Sequence, residues 1–187
     1  MEKLGILAIL FTILGISTSP HPFLLVLCYI IHELGHISFA KMVGARTKKI
    51  KILAFRLSIG YDQSGLTYPQ EILVCLGGII FNLASAGIVW LLPFFSGEAS
   101  LFFVVCNLSL ALMNLYPVAI LDGGGILRAV LLWRLGEDKA EKISRGVSLI
   151  CAILLWLLSV YLQLAFSSNL SLLVISIVLL VQLCFSL

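Results

Sequence analysis

Four long stretches of the sequence contain no charged residue, and they constrain the fold more than any other feature. They cover residues 4–32, 72–97, 99–121 and 146–187. Each is longer than the roughly 20 apolar residues that cross the hydrocarbon core of a bilayer. Of the 187 residues, 61% are hydrophobic and 11% are charged, whereas soluble domains average about 45–50% and about 25%. The chain is therefore predicted to be an all-α membrane protein.

The first and the last of these stretches are too long for one helix, and each contains a predicted turn. Prolines and small polar residues at 17–22 divide the first stretch, and polar residues at 167–169 divide the last. Six spans of one polytopic domain, 1–187, are predicted at about 4–17, 22–43, 72–92, 99–120, 147–166 and 170–187. A cleaved signal peptide is the alternative for 1–19, because Lys3 precedes an apolar run, but no clear cleavage site follows.

The basic residues predict the orientation of the spans. With six alternating spans, all twelve Lys and Arg lie on the side of the two termini, mostly within 41–56 and 128–145. The turns on the other side, near 18–21, 93–98 and 167–169, carry none. Because basic loops remain in the cytoplasm, both termini of this integral membrane protein are predicted to be cytoplasmic. A formal net charge of +3 is too small to indicate a nucleic-acid partner.

The loop between the second and third spans contains the one plausible strand of the sequence. Apolar and polar residues alternate from Phe55 to Tyr61, which is typical of a strand. Polar residues at 62–65 could turn the chain back through 66–68. A membrane-associated β-hairpin is therefore predicted over about 50–68. A basic loop beside anionic lipid headgroups is the alternative.

The second predicted span contains an HExxH pattern. It is formed by His32, Glu33, Leu34, Gly35 and His36. Two histidines four positions apart lie on one face of a helix, so both imidazoles can reach one metal ion, and Glu33 is offset to accept a proton from water. Ionisable groups inside a membrane helix are costly, which favours a functional site over side chains that only satisfy one another.

A catalytic zinc site takes three protein ligands, so a third ligand is expected elsewhere in the chain. Asp122 is the only other acidic residue predicted at membrane depth. Cys28, one turn before His32, could also approach the metal, although a packing role is favoured. His21 is predicted to be an interfacial residue at the opposite membrane face.

Asp122 also belongs to a second motif. Residues 114–123 read NLYPVAILDG, which matches every specified position of the pattern NxxPxxxLDG. Together with HELGH at 32–36, this run resembles the signatures of the site-2 protease family, the intramembrane zinc metalloproteases. The resemblance covers about residues 22–134. It implies one zinc ion per chain, held by His32, His36 and Asp122, with Glu33 as the catalytic base.

The resemblance extends to two asparagines. Asn114 is the asparagine of the second motif, and Gly78 with Asn82 is similar to the family's GxxxN element, whose asparagine contacts substrate or the developing oxyanion. A small residue four positions before an asparagine also serves helix packing, which is the alternative. No stretch is long enough for the PDZ or CBS domains of many relatives, so the resemblance is to compact bacterial or archaeal members.

The backbone around Asp122 is expected to be irregular. Pro117 removes a helix hydrogen bond, and three glycines follow at 123–125. Such backbone is tolerated at membrane depth only where protein or a watery cavity covers it, and peptide hydrolysis needs water. His36 precedes the predicted end of its helix by seven residues, which sets the metal roughly 10 Å inside the cytoplasmic face.

The predicted function is that of an intramembrane zinc endopeptidase acting on transmembrane segments of membrane proteins. A substrate segment must be held extended, and an exposed strand edge can pair its amides. The predicted docking strand consists of Phe55, Arg56, Leu57, Ser58 and Ile59. The alternatives are a catalytically silent scaffold, which the intact Glu33 disfavours, and a metal transporter, which the nearly apolar non-cytoplasmic half disfavours.

Overall fold

The computed structural model describes residues 22–45, 51–53, 56–58, 65–92, 97–166 and 171–186. This part of the chain is mainly helical, as predicted, and also contains two short strands. The elements are α1 (Pro22–Met42), β1 (Lys51–Leu53), β2 (Arg56–Ser58), α2 (Tyr68–Leu91), α3 (Glu98–Leu115), α4 (Asp122–Leu135), α5 (Glu137–Phe166) and α6 (Ser171–Ser186).

Four of the described helices, α1, α2, α3 and α5, are long and apolar enough to cross a membrane. Helix α2 has 24 residues, and at about 1.5 Å per residue it is longer than the roughly 30 Å hydrocarbon core. Helix α6 contains a shorter apolar segment, Leu172–Cys184. The predicted span at 4–17 lies outside the described residues, so the count of six spans remains a prediction.

The predicted span at 99–120 is too long. Helix α3 ends at Leu115, because Pro117 has no amide hydrogen with which to continue the helix. The loop predicted at 128–146 is also wrong, since these residues belong to α4 and α5, apart from Gly136. Gly136 has a φ of 77° and separates the two helices. The charged residues that suggested a loop lie on solvated helix turns instead.

The two strands pair differently from the predicted hairpin. Strands β1 and β2 are antiparallel, with Ile52 opposite Leu57. The partner strand therefore precedes the predicted one in sequence, and the returning arm predicted at 66–68 is wrong. Thr67 instead precedes the first turn of α2, where its backbone N–H donates to Gln70 Oε1 at 2.9 Å. The rest of the predicted hairpin, at 54–55 and 59–64, lies outside the described residues.

Helix α2 occupies the centre of the described helices, because it contacts α1, α3 and α4. Its contact with α1 is a direct backbone contact. A Cβ atom built on Gly77 would lie 2.6 Å from the carbonyl oxygen of Gly35. Both positions therefore require glycine. Val118, Ala152 and Leu183 form a separate small buried cluster, which packs the segment before α4 against α5 and α6.

We predict that Gly77→Ala lowers the free energy of unfolding in detergent by about 1–3 kcal/mol, because the added methyl group pushes α1 and α2 apart. Gly87→Ala in the same helix is the matched control, since a Cβ there meets no atom within 4 Å. This control should raise stability by about 0.5–1 kcal/mol. Denaturant unfolding followed by circular dichroism measures both. Equal stability of the two variants would contradict the close contact.

Candidate active site

Two helices bring three ionisable side chains together. His32 and His36 lie one turn apart on α1, and Asp122 is the first residue of α4. The Nε2 atoms of the two histidines are 3.1 Å apart. Asp122 Oδ2 lies 3.2 Å from His32 Nε2 and 3.3 Å from His36 Nε2. The structure thus brings the three predicted ligands to one point.

The hydrogen bond of His36 identifies its tautomer. Its Nδ1 lies 2.8 Å from the carbonyl oxygen of Val74, which can only accept, so Nδ1 carries the proton. In the neutral imidazole, Nε2 then has a lone pair directed at the other two atoms. Asp122 Oδ2 is buried and has no hydrogen-bond partner among the described residues. Acceptor atoms this close together need either a metal ion or an imidazole proton between them.

The dimensions of this triangle suit zinc. A tetrahedral zinc ion with ligands at about 2.0–2.1 Å separates neighbouring ligand atoms by about 3.3 Å. The observed separations are 3.1, 3.2 and 3.3 Å. The side chain of His32 is 5% exposed, whereas that of Asp122 is 19% exposed, so the cluster is not sealed. Two imidazoles and a carboxylate are a donor set found in catalytic zinc sites, and partial solvent access is expected there because one coordination position stays open.

Helix α2 orients the two imidazoles through its backbone. Val74 supplies the carbonyl group that holds His36. One turn later, a Cβ on Gly78 would lie 2.6 Å from His32 Cε1 and 2.7 Å from His36 Nε2. The GxxxN pattern connected Gly78 with substrate binding through Asn82 and gave no indication of this contact. The carbonyl group of Val74 could not be predicted to bind His36, because every residue type carries the same backbone carbonyl.

Asp122 follows an irregular segment, as Pro117 predicted, but the glycines at 123–125, which were expected to extend the irregular backbone, belong to the first turn of α4. The N–H groups of Gly124 and Gly125 both donate to the carbonyl oxygen of Leu121, at 3.1 and 3.2 Å, and so begin α4. A Cβ on Gly123 would collide with the backbone of Leu115, and one on Gly124 would collide with Val118. The glycines therefore permit the segment to fold back onto the first turn of α4.

The two predicted asparagines differ in their surroundings. Asn82 is fully buried, and neither atom of its amide has a hydrogen-bond partner within the described part of the chain. Asn114 is half-buried, and its Nδ2 donates to the carbonyl oxygen of Leu110 at 3.0 Å, within α3. An amide nitrogen carries two hydrogens, so Asn114 retains one donor beyond this bond.

Cys28 takes part in a polar network that connects α1, α2 and α3. Its Sγ accepts a hydrogen bond from Asn107 Nδ2 at 2.9 Å, and Asn107 Oδ1 accepts one from Ser85 Oγ at 3.0 Å. Among the described residues, the candidate metal cluster comprises only His32, His36 and Asp122, and Cys28 lies outside it. Asn107 is not among the residues predicted from the sequence. Its position could have indicated a structural or functional role, because a polar amide is unusual within a charge-free apolar stretch.

The remaining predicted site residues are described only in part. Glu33 is half-buried on α1 beside His32. Of the predicted docking strand, Arg56, Leu57 and Ser58 form β2. Phe55, Ile59 and the interfacial His21 lie outside the described residues.

Comparison with known proteins finds a matching peptidase family and several related sequences. Peptidase family M50 matches residues 97–158. The chain is 30% identical over 146 residues to the stage IV sporulation protein FB of Bacillus subtilis, which covers 73% of this chain and 49% of that protein. It is 31% identical over 141 residues to a zinc metalloprotease of Methanocaldococcus jannaschii, with 72% and 41% covered. The chain thus spans about half or less of these relatives.

The fold is similar to that of a solved structure, a site-2 protease from Methanocaldococcus jannaschii. The TM-score is 0.73 at 21% sequence identity, and the likeness covers 97% of this chain and 87% of the other. At this identity the likeness concerns the fold alone. The predicted resemblance to the site-2 protease family is confirmed, since the chain is similar in sequence to peptidase family M50 and to these relatives, and similar in fold to a site-2 protease.

Proposed function

We propose that this protein is an intramembrane zinc endopeptidase. The observation that carries the proposal is the triangle of His32 Nε2, His36 Nε2 and Asp122 Oδ2, whose edges of 3.1–3.3 Å suit one zinc ion. Two of its three members lie on α1, a helix long and apolar enough to cross a membrane, which supports the intramembrane assignment. The names of the relatives, a zinc metalloprotease and a site-2 protease, support the same chemistry.

In the proposed reaction, the residues of the chain divide the work of peptide hydrolysis. A zinc ion held by His32, His36 and Asp122 would act as a Lewis acid and would lower the pKa of its bound water to about 7. Glu33 accepts a proton from the attacking water and delivers it to the leaving amine. Asn82 is assigned as the donor to the substrate carbonyl or the developing oxyanion, because its buried amide has no partner among the described residues. Asn114 contributes its second amide hydrogen in the same role.

We predict that Glu33→Gln binds one zinc ion per chain but does not cleave, whereas Asp122→Ala loses the zinc. Cys28→Ser is the control and should keep the metal, because Cys28 lies outside the cluster. Zinc content is measured by mass spectrometry on detergent-purified protein. Cleavage is measured with co-expressed single-span reporters that carry Gly, Asn or Pro in their transmembrane segment.

Near-normal turnover by Glu33→Gln would remove the proposed base, and a full equivalent of zinc in Asp122→Ala would refute the ligand set. Zinc binding by the wild type without cleavage of any reporter would favour a catalytically silent scaffold of the same fold.

We further propose six spans with both termini in the cytoplasm. The distribution of the twelve basic residues supports this topology. His36 precedes the end of α1 by six residues, so the zinc lies about 9 Å inside the cytoplasmic face. Cleavage near that depth releases a product to the cytoplasm.

A cytoplasmic reporter enzyme fused after Leu187 is therefore expected to be active, because an even number of spans returns the chain to its original side. A periplasmic reporter at the same position should be silent. With the N-terminus in the cytoplasm, an active periplasmic reporter and a silent cytoplasmic one would show that the number of spans is odd and would contradict the proposed six.

The proposed substrate is a transmembrane segment held as an added strand. Strands β1 and β2 form a two-stranded antiparallel pair within the described residues, so each has one edge without a strand partner there. An unwound substrate leaves amides that lipid cannot satisfy, and such an edge can pair them.

We predict that Leu57→Pro abolishes reporter cleavage and leaves zinc content unchanged, because proline removes one backbone donor from β2. Leu57→Thr is the matched control, since it keeps the donor and favours a strand. Unimpaired cleavage by the proline variant would show that this segment is only a lipid-facing tether.

A further inference from the structure

The six residues before α4 are fastened to α5 at two points. The backbone N–H of Ala119 donates to Ser148 Oγ at 3.0 Å, and the phenol of Tyr116 donates to the carbonyl oxygen of Cys151 at 3.1 Å. Ser148 is fully buried. Both contacts lie within the segment that ends at Asp122.

The backbone hydrogen bonds of this segment show why Ser148 is needed. The N–H of Val118 donates to the carbonyl of Tyr116, and that of Leu121 donates to the carbonyl of Val118, each at 2.8 Å. Pro117 has no N–H. Ala119 turns its N–H away from these local bonds and toward α5. An amide without a partner is costly at membrane depth, so the Ser148 hydroxyl stabilises this path of the chain.

Asp122 depends on that path for its position. Apart from the two histidine nitrogens, no described group makes a polar contact with its Oδ2, so the path of the backbone before Asp122 sets where the carboxylate can reach. The cluster of Val118, Ala152 and Leu183 packs the same segment against α5 and α6. Metal ligands are commonly oriented by groups in the layer behind them. Here α5 provides that layer although none of its side chains belongs to the cluster.

We propose that Ser148 and Tyr116 are positioning residues, which hold Asp122 at the two histidines by fastening the segment before α4 to α5. This inference rests on the proposed zinc site. It concerns the affinity and geometry of the metal rather than the chemical step.

The test compares Ser148→Ala, Ser148→Thr and Ser159→Ala in detergent-purified protein. Ser159 is the matched control, because it is a buried serine on α5 whose hydroxyl contacts Ser176 at 2.9 Å instead of the segment before α4. Zinc affinity is measured by competition with a chromophoric chelator. The visible spectrum of the cobalt-substituted protein reports the ligand geometry.

We expect Ser148→Ala to weaken zinc binding about tenfold or more and to alter the cobalt spectrum. Ser148→Thr restores the hydroxyl and should recover both, and Ser159→Ala should resemble the wild type. Wild-type affinity and spectrum in Ser148→Ala would overturn the inference, and so would an equal loss in Ser159→Ala. Absence of zinc binding in the wild type would instead refute the proposed function.

Tyr116→Phe provides a second route if Ser148→Ala does not fold. It removes the hydroxyl group that contacts Cys151 and leaves the aromatic packing in place. We expect several-fold weaker zinc binding and a changed cobalt spectrum. An unchanged affinity and spectrum in this variant would likewise overturn the inference.

Discussion

The backbone contact between α1 and α2 is the constraint on which the candidate centre depends. Gly35 and Gly77 allow the two helices to meet without side chains between them. At this separation the carbonyl group of Val74 reaches His36 at 2.8 Å, and the glycine at 78 leaves room for both imidazoles. A larger residue at either contact would separate the histidines from the helix that orients them.

The cost of exposing polar groups to lipid explains much of the remaining organisation. Asn107 satisfies its amide with Cys28 and Ser85 between three helices. Ala119, in an irregular segment, donates its N–H to a buried serine of α5. Irregular backbone and amide side chains are therefore turned toward protein. Asp122 Oδ2, both atoms of the Asn82 amide and Gln163 Oε1 are buried without a partner among the described residues. In the proposed function, a metal ion would satisfy Asp122, and a substrate would satisfy Asn82.

Much of this could be predicted because hydropathy and short motifs are local properties. The charge-free stretches indicated α1, α2, α3 and α5, and HExxH with LDG indicated the three side chains that meet. Charge density misled the prediction at 128–146, since an exposed helical segment and a loop can have the same composition. The alternation from Phe55 indicated a strand, but the partner of a strand depends on non-local pairing. Here the partner is β1, and the predicted returning arm begins a helix.

By itself the sequence determined the class of the protein, the ionisable residues able to bind a metal or transfer a proton, and the break in the helix at Pro117. These are local properties, because they depend on apolar length, on residue spacing and on the missing amide hydrogen of proline. Only the tertiary structure decided that Cys28 belongs to a packing network, that Val74 orients His36, and that Ser148 receives the N–H of Ala119. These contacts join residues 29 to 79 positions apart, and two of them use backbone groups, which every residue carries. No pattern along the chain specifies them, because they exist only when the helices are packed.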